Sequence, residues 1–327
     1  MNTTAPTTTR TVQLDRYGSP TELRHLTVDI PAPADDQVVV RVRAAGINRG
    51  DGLAIAGLPY AARLSYGVTR PKRPVPGTDV AGTVVAVGAS VTAWRPGDDV
   101  VGWAVGAFAE HALASASSLL AKPEGLTFEE AAALPTAAVT ALQALEKGGI
   151  GTAHRVLVLG ASGGVGSFAV QLAAACRAEV TGVCSTRNVD LVRSLGADRV
   201  VDYTVEDVAA LRGYDLVVDL AGQLPLTRAR RLARRGGAYV VVGGGKARTL
   251  TGMRRFAAAG LLSPFGPQRL RPLFARPRRE DLATVLSHVV DGRVRPSVEA
   301  AYALRDAADA VDFVHRGKAR GKVVLVP

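Results

Sequence analysis

Residues 156–171 read Val-Leu-Val-Leu-Gly-Ala-Ser-Gly-Gly-Val-Gly-Ser-Phe-Ala-Val-Gln. An apolar strand-like run ends on a glycine turn and passes straight into an apolar helix. Few folds accommodate that succession, because strand, turn and helix must form one βα unit. The glycines at 160, 163 and 166 are spaced more loosely than G-x-G-x-x-G. The physics is the same: glycine lets the main chain turn tightly and approach a pyrophosphate, and the helix N-terminus supplies free N–H groups and a positive dipole end. A glycine triplet alone marks only a tight turn. Between a buried strand (156–159) and a helix (167–177) it points to a dinucleotide.

The chain beyond the turn keeps alternating. A strand is expected over 179–184, a helix over 188–195 closed by Gly196, and strands over 199–203, 214–220 and 238–242, with an Arg-rich helix between the last two. Apolar strands separated by helices imply a parallel sheet covered on both faces. The first third differs: Val-rich runs at 11–14, 37–45 and 82–87, punctuated by Gly and Pro, predict a compact β-rich domain. Thr127 and Glu130 have capping-box spacing before an Ala-rich helix that Pro135 interrupts. After about Gly260 the chain reads as irregular and Pro-rich. Two helices follow at 281–290 and 306–316, then a strand at 322–326 expected to return to the first domain.

At 327 residues and 34.0 kDa the chain suits two domains. Its apolar runs, such as 172–176, fall far short of the roughly eighteen residues a bilayer span needs. Residues 1–10 read as a flexible tail without a signal peptide's apolar core. The two cysteines, Cys176 and Cys184, allow neither a disulfide framework nor a cysteine-based zinc site. A cytoplasmic protein without membrane association is expected. Of the formal charge of +11, residues 220–279 carry 14 Lys and Arg and no acid, so the remainder nets 11 − 14 = −3. Such a block suits a polyanion, a phosphorylated cofactor or plain solvated helix faces. No nucleic-acid-binding signature accompanies it, and specific nucleic-acid binding is not expected.

The second strand bears on the cofactor. An NAD site carries Asp or Glu about twenty residues past the glycines. Here the strand ends Cys184-Ser185-Thr186-Arg187-Asn188, with no acid before Asp190. Hydroxyls and a guanidinium suit a 2′-phosphate, so NADPH is favoured. The competing reading makes Ser185 and Thr186 helix caps and Arg187 a surface residue; the two are compatible.

Several short motifs fall in a specific order: Ala45-Gly-Ile-Asn48-Arg-Gly-Asp51, Pro76-Gly-Thr-Asp79-Val-Ala-Gly82, Pro96-Gly-Asp-Asp99, Gly106-Ala-Phe-Ala-Glu110, Ala131-Ala-Ala-Leu-Pro135, the glycine turn, Leu195-Gly-Ala-Asp198, Asp202-Tyr203 and Gly321-Lys-Val-Val. In these the chain resembles the zinc-independent, quinone-oxidoreductase-like branch of the medium-chain dehydrogenase/reductase superfamily. The resemblance implies an α/β fold in which a Rossmann-type doubly wound parallel sheet (127–262) is inserted into a GroES-like β-rich catalytic domain (11–126 and 263–327), with the active-site cleft between them. It further implies NADPH-dependent hydride transfer to a quinone or to the activated C=C bond of an α,β-unsaturated carbonyl compound, in a homodimer. A pathway-specific reductase of secondary metabolism is a narrower variant. A non-catalytic, nucleotide-gated RNA- or partner-binding protein on the same fold is the alternative.

The zinc alcohol dehydrogenases of that superfamily use Cys where this chain has Asn48, and Gly-His-Glu where it has Gly77-Thr78-Asp79, so no metal is expected. By the same resemblance Asn48, Thr140, Ser162, Gly163, Gly164, Val165, Gly166, Ser185, Arg187 and Tyr203 line the cofactor. So do Gly243 and Gly244 after the fifth strand, and Phe274, Lys318, Ala319 and Arg320. Asn48 is a candidate donor to the nicotinamide ribose or to a substrate carbonyl, with a turn asparagine as the plain reading. Tyr60, or Tyr66 on the same loop, is a candidate proton donor, with packing as the plain reading. Asp51 is expected to pair with a nearby Arg.

Overall fold

The computed structural model describes residues 7–30, 32–243 and 251–327. These divide into two compact units, one of residues 1–136, 277–286 and 296–327 and the other of 137–276 and 287–295.

The first unit begins with strands β1 (Thr8–Gln13) and β2 (Arg24–Asp29), which pair antiparallel. Residues 8–10, expected to be tail, are therefore strand. Strand β3 (Gln37–Ile47) is the spine of the unit. It leads into helix α1 (Arg49–Ile55) and the short α2 (Arg63–Tyr66), then β4 (Asp79–Val87), β5 (Asp99–Trp103), β6 (His111–Ser115) and β7 (Leu119–Ala121). Along one edge β3 pairs with β4 over its whole length. Along the other, residues 37–41 pair with β6 and residues 45–47 with a strand from the far C-terminus. Alternating Val38, Val40 and Val42 on β3 join Val12, Val80, Val84, Val100 and Phe108 in one apolar cluster. Full burial of each such side chain contributes roughly 1.5–3 kcal/mol.

Helix α3 (Phe128–Ala132) opens on the expected capping box, with Thr127 Oγ1 accepting from Glu130 N and Glu130 Oε2 accepting from Thr127 N. It belongs to this unit, although 127–136 was expected to belong to the nucleotide domain. The reason is contact: a Cβ on Gly46 would lie 2.2 Å from the carbonyl oxygen of Ala132, so α3 sits directly on β3.

Pro135 starts α4 (Pro135–Gly148), and the alternating region follows as β8 (Arg155–Leu159), α5 (Gly164–Ala175), β9 (Glu179–Cys184), α6 (Val189–Ser194), β10 (Arg199–Asp202), β11 (Tyr214–Asp219), α7 (Leu226–Ala229), β12 (Ala233–Val241), α8 (Thr251–Leu262) and β13 (Arg269–Pro272). The six strands form one parallel sheet in the order β10-β9-β8-β11-β12-β13. Chain order therefore reverses beside β8, which is the switch point where doubly wound sheets bind ligands. Leu157, Leu159, Val183, Val201, Val217, Tyr239 and Val241 are buried in one cluster. Strand β13 corrects the expectation that residues after 260 are irregular, and it moves 263–276 into this unit: Leu270 is buried against β12 despite flanking arginines.

After α9 (Arg279–Val290) come β14 (Val298–Ala303), α10 (Ala307–His315) and β15 (Lys322–Val326). As expected, β15 returns to the first unit, antiparallel to β3, with β14 parallel to it on the outside.

Candidate functional site

The expected residues fall into two groups, one in each unit.

In the second unit they gather at the carboxyl ends of the strands. Gly160 ends β8 at φ +87°, a conformation that costs residues with a Cβ. A Cβ on Gly166 would lie 2.1 Å from Gly160 O, so the first turn of α5 packs against the turn itself. Gly163 is different: it is the N-cap at φ −81°, and the nearest atom to an added Cβ is 3.5 Å away. No side chain caps α5, so its opening N–H groups, at Gly164, Val165 and Gly166, are left to an external acceptor. A pyrophosphate fits this cradle.

Asn188 ties the turn to the neighbouring strand end. Its Nδ2 donates to Ser162 Oγ at 2.9 Å and to Ser185 Oγ at 3.3 Å, while its buried Oδ1 has no partner among the described residues. Arg187 is exposed on the single 3-10 turn Thr186–Asn188 that follows β9. Tyr203 is 54% exposed and donates its N–H to Cys184 O at 3.0 Å, bringing the ends of β9 and β10 together. Thr186 and Thr204 hydroxyls meet at 2.8 Å. Asp202 accepts from Thr204 N at 2.9 Å and Thr204 Oγ1 at 2.8 Å, and its own N–H donates to Glu206 Oε1 at 3.3 Å. Hydrogen bonds, foremost from the Thr186 side chain, hold the Asp202 carboxyl below the usual carboxylate range.

Gly243 follows β12, where a Cβ would lie 2.2 Å from Leu220 O, so glycine there answers a close backbone approach. Gly244 lies outside the described residues. Thr140 is buried on α4. Phe274, 58% exposed, stacks on Phe256 with centroids 4.8 Å apart. Part of the basic block is spent on internal contacts: Arg255 Nη2 donates to buried Asp219 at 2.5 Å, Arg230 Nε to Gln268 Oε1 at 3.2 Å, Arg271 Nη1 to Lys147 O at 2.7 Å, and Arg234 pairs with Asp215.

In the first unit Asn48 stands at the head of a buried polar cluster. Its Nδ2 donates to Asp79 Oδ2 at 2.8 Å, its Oδ1 accepts from Lys322 Nζ at 2.7 Å, and its backbone N–H donates to Asp51 Oδ2 at 2.7 Å. Lys322 Nζ also donates to Ile47 O at 2.8 Å. Asp79 accepts from Thr136 Oγ1 at 2.5 Å and Thr136 N at 3.1 Å, and Trp103 Nε1 donates to Thr136 Oγ1 at 3.3 Å. Lys322 is 3% exposed and Asp79 0%. Burial pushes the Asp51 carboxyl up to about 7, with the Asn48 N–H and the Lys322 charge pulling the other way. Burial likewise raises Asp79, against Lys322 and its hydrogen-bond donors, and lowers the Lys322 ammonium, against the two carboxylates.

Asp51 thus caps α1 and faces Lys322 rather than the arginine expected for it. Tyr60 is 50% exposed, its ring 4.8 Å from the Arg63 guanidinium. Ala319 packs on the apolar cluster of this unit, and Arg320 N donates to Glu299 Oε2.

Sequence reasoning missed Asn188, Thr136 and Lys322. Asn188 lay in view as a polar residue at a helix start. Thr136 gave no local signal, and Lys322, present only within the Gly321-Lys-Val-Val motif, gave no sign of its partner, since only the pairing of β15 with β3 brings residue 322 to residue 48. A zinc ion does not fit here. Asn, Thr and Asp stand at the ligand positions, the Lys322 ammonium sits on Asn48 Oδ1, and no group of three His, Cys, Asp or Glu side chains among the described residues could hold a metal. Among the described residues no helix is long and apolar enough to cross a membrane.

Comparison with known proteins agrees with the fold. The model of the alcohol dehydrogenase GroES-like domain matches residues 34–124, and that of the zinc-binding dehydrogenases matches 195–325. The chain is 33% identical to the chloroplastic quinone-oxidoreductase homolog of Spinacia oleracea, covering 97% of this chain and 98% of that one. It is 32% identical to the chloroplastic NADPH-dependent alkenal/one oxidoreductase of Arabidopsis thaliana, covering 91% and 74%. The crystal structure of Escherichia coli quinone oxidoreductase complexed with NADPH superposes with a TM-score of 0.82 at 26% identity, covering 98% and 100%. The chain belongs to the quinone-oxidoreductase-like branch of the medium-chain dehydrogenase/reductase superfamily and is an oxidoreductase of that family.

Proposed function

We propose that the protein is an NADPH-dependent, zinc-independent reductase of a small quinone or of the activated C=C bond of an α,β-unsaturated carbonyl compound, working in the cytoplasm as a homodimer. The observation that carries the reading is the join made by Asn188, which ties Ser162 of the diphosphate-type turn to Ser185 at the edge where a 2′-phosphate would sit.

When bound, NADPH supplies a hydride from the nicotinamide ring. The chain's own contribution is binding, orientation and a proton. Amides of Gly164, Val165 and Gly166 hold the diphosphate, with Ser162 beside them. Ser185, Arg187 and Tyr203 hold the 2′-phosphate, Arg187 by paired guanidinium donors. Thr140, Gly243, Gly244, Phe274, Lys318, Ala319 and Arg320 complete the cofactor's surroundings in this reading. The Asn48 amide offers a neutral donor to an oxygen of the bound complex, and such a donor suits a quinone or enone oxygen that gains charge. Tyr60 or water gives the proton, so hydride and proton together make the hydroquinone or the saturated carbonyl compound. Without a Lewis acid the substrate must already be electrophilic, which favours quinones and enones over simple alcohols.

Steady-state consumption of NADPH with a model quinone and a model enone tests the reading. Turnover with at least about ten-fold preference for NADPH over NADH supports it, the size expected for a charged hydrogen-bonded contact. No turnover with either acceptor, together with RNA retention that NADPH does not displace, would replace it with the non-catalytic alternative.

A further inference from the structure

Lys322 is charged, almost wholly buried and without a part in the chemistry described so far. Its ammonium can only donate, and it places one N–H on Asn48 Oδ1. Asp79, when ionised, can only accept, and it takes Asn48 Nδ2–H. Reversing the amide would set NH2 against ammonium and carbonyl oxygen against carboxylate. The Asn48 amide is therefore locked in one orientation by two obligate partners. That leaves one N–H without a partner among the described residues, on a side chain that is only half-buried.

A merely structural lysine would not need this arrangement. Lys322 already has the carbonyl of Ile47 as an acceptor and Asp79 and Asp51 as countercharges. Its reach to Asn48 Oδ1 is an additional contact, and a cation on the oxygen end of an amide makes the remaining N–H a stronger donor. We propose that Lys322 is a positioning residue: it fixes and polarises the Asn48 amide so that the free N–H is held ready for an oxygen of the bound cofactor–substrate complex. This rests on the reductase reading above and adds to it the residue that makes Asn48 effective.

A double-mutant cycle on the full-length protein tests it, reading kcat/KM for NADPH consumption with a model quinone and, separately, Tm. Asn48→Ala and Lys322→Met are each expected to lower kcat/KM about ten-fold, and the double variant no further than either alone, because both remove the same oriented donor. In Lys322→Met/Asp79→Asn, where neither charge remains, Tm is expected to recover toward wild type while kcat/KM stays low. Multiplying losses in the double variant, or kcat/KM that recovers along with Tm, would overturn the proposal. Should Lys322→Met fail to fold, the charge-free pair and its combination with Asn48→Ala complete the same cycle. Absence of turnover in the wild type would refute the reductase reading and this inference with it; turnover with an additive cycle would refute this inference alone.

Discussion

The turn after β8 and the cluster beneath β3 are both polar arrangements in apolar surroundings, and they are built in opposite ways. The turn consists of seven neighbouring positions, 160–166, four of them glycine, where no side chain caps the main chain's own N–H groups. The cluster brings together residues 48, 51, 79, 136 and 322, each with a specific side chain, from segments far apart in the sequence. One depends on space that must stay empty, the other on charges that must stay matched. Substitutions should therefore fail differently: in the turn by steric intrusion, in the cluster by leaving an ion unpaired.

The largest effect is expected from Asp79→Ala. It removes one of the two carboxylates that offset the buried Lys322 ammonium, together with the acceptor of the Asn48 Nδ2–H and of the Thr136 N–H and Oγ1–H, and removing a partner of a buried charge costs about 3–5 kcal/mol. Thermal or denaturant unfolding should show the loss, and a stability within error of wild type would mean the cluster is not ionised. Next comes Gly166→Ala, whose methyl meets Gly160 O at 2.1 Å. The strain is expected to cost about 1–3 kcal/mol and to abolish NADPH binding in a fluorescence titration.

The cluster also predicts a pH signature. Asp51, raised to about 7 in the fold, binds its proton more tightly than in the unfolded chain, where the value is about 3.9. Its contribution is thus present in full below about pH 4, is lost as pH rises to about 7, and stays lost above that. Asn at position 51 does not ionise, so the Tm of Asp51→Asn minus that of wild type should grow between pH 4 and 7, by about 3 °C or more, and then level off. A difference independent of pH would count against a raised Asp51. The smallest effect on stability is expected from Arg187→Ala. At an exposed turn it should change stability by less than about 0.5 kcal/mol. Its signature is selective, a fall of about ten-fold in the preference for NADPH over NADH, as one charge-assisted contact is lost.

The same contrast explains what the sequence made legible. Strands β9 and β15 fall on the residues expected, because both are apolar runs bounded by turns. The turn is local, so its glycines announce it. Strand β13 was hidden by Arg269, Arg271 and Pro272, since it has one buried residue where a strand signal needs several. Strand β14 reads Val-Glu-Ala-Ala-Tyr-Ala, weak in strand propensity, and forms only because β15 lies beside it. Lys322 stood in the sequence only as part of the Gly321-Lys-Val-Val motif, and its burial follows from a contact across 275 positions. Asp51, Asp79 and Lys322 were each visible as motif residues, but that they meet was not.

The space over Gly163 is where the diphosphate of a bound cofactor would sit. Among the described residues beyond its own chain neighbours, the nearest atom to a Cβ placed there is Gly160 O at 3.5 Å, and the backbone at φ −81° accepts alanine. Titrating NADPH into Gly163→Ala, with Tm measured on the same sample, is the most direct test. The predicted result is a Tm near that of wild type with NADPH binding weakened ten-fold or more, about 1.4 kcal/mol. Wild-type affinity in the folded variant would contradict it.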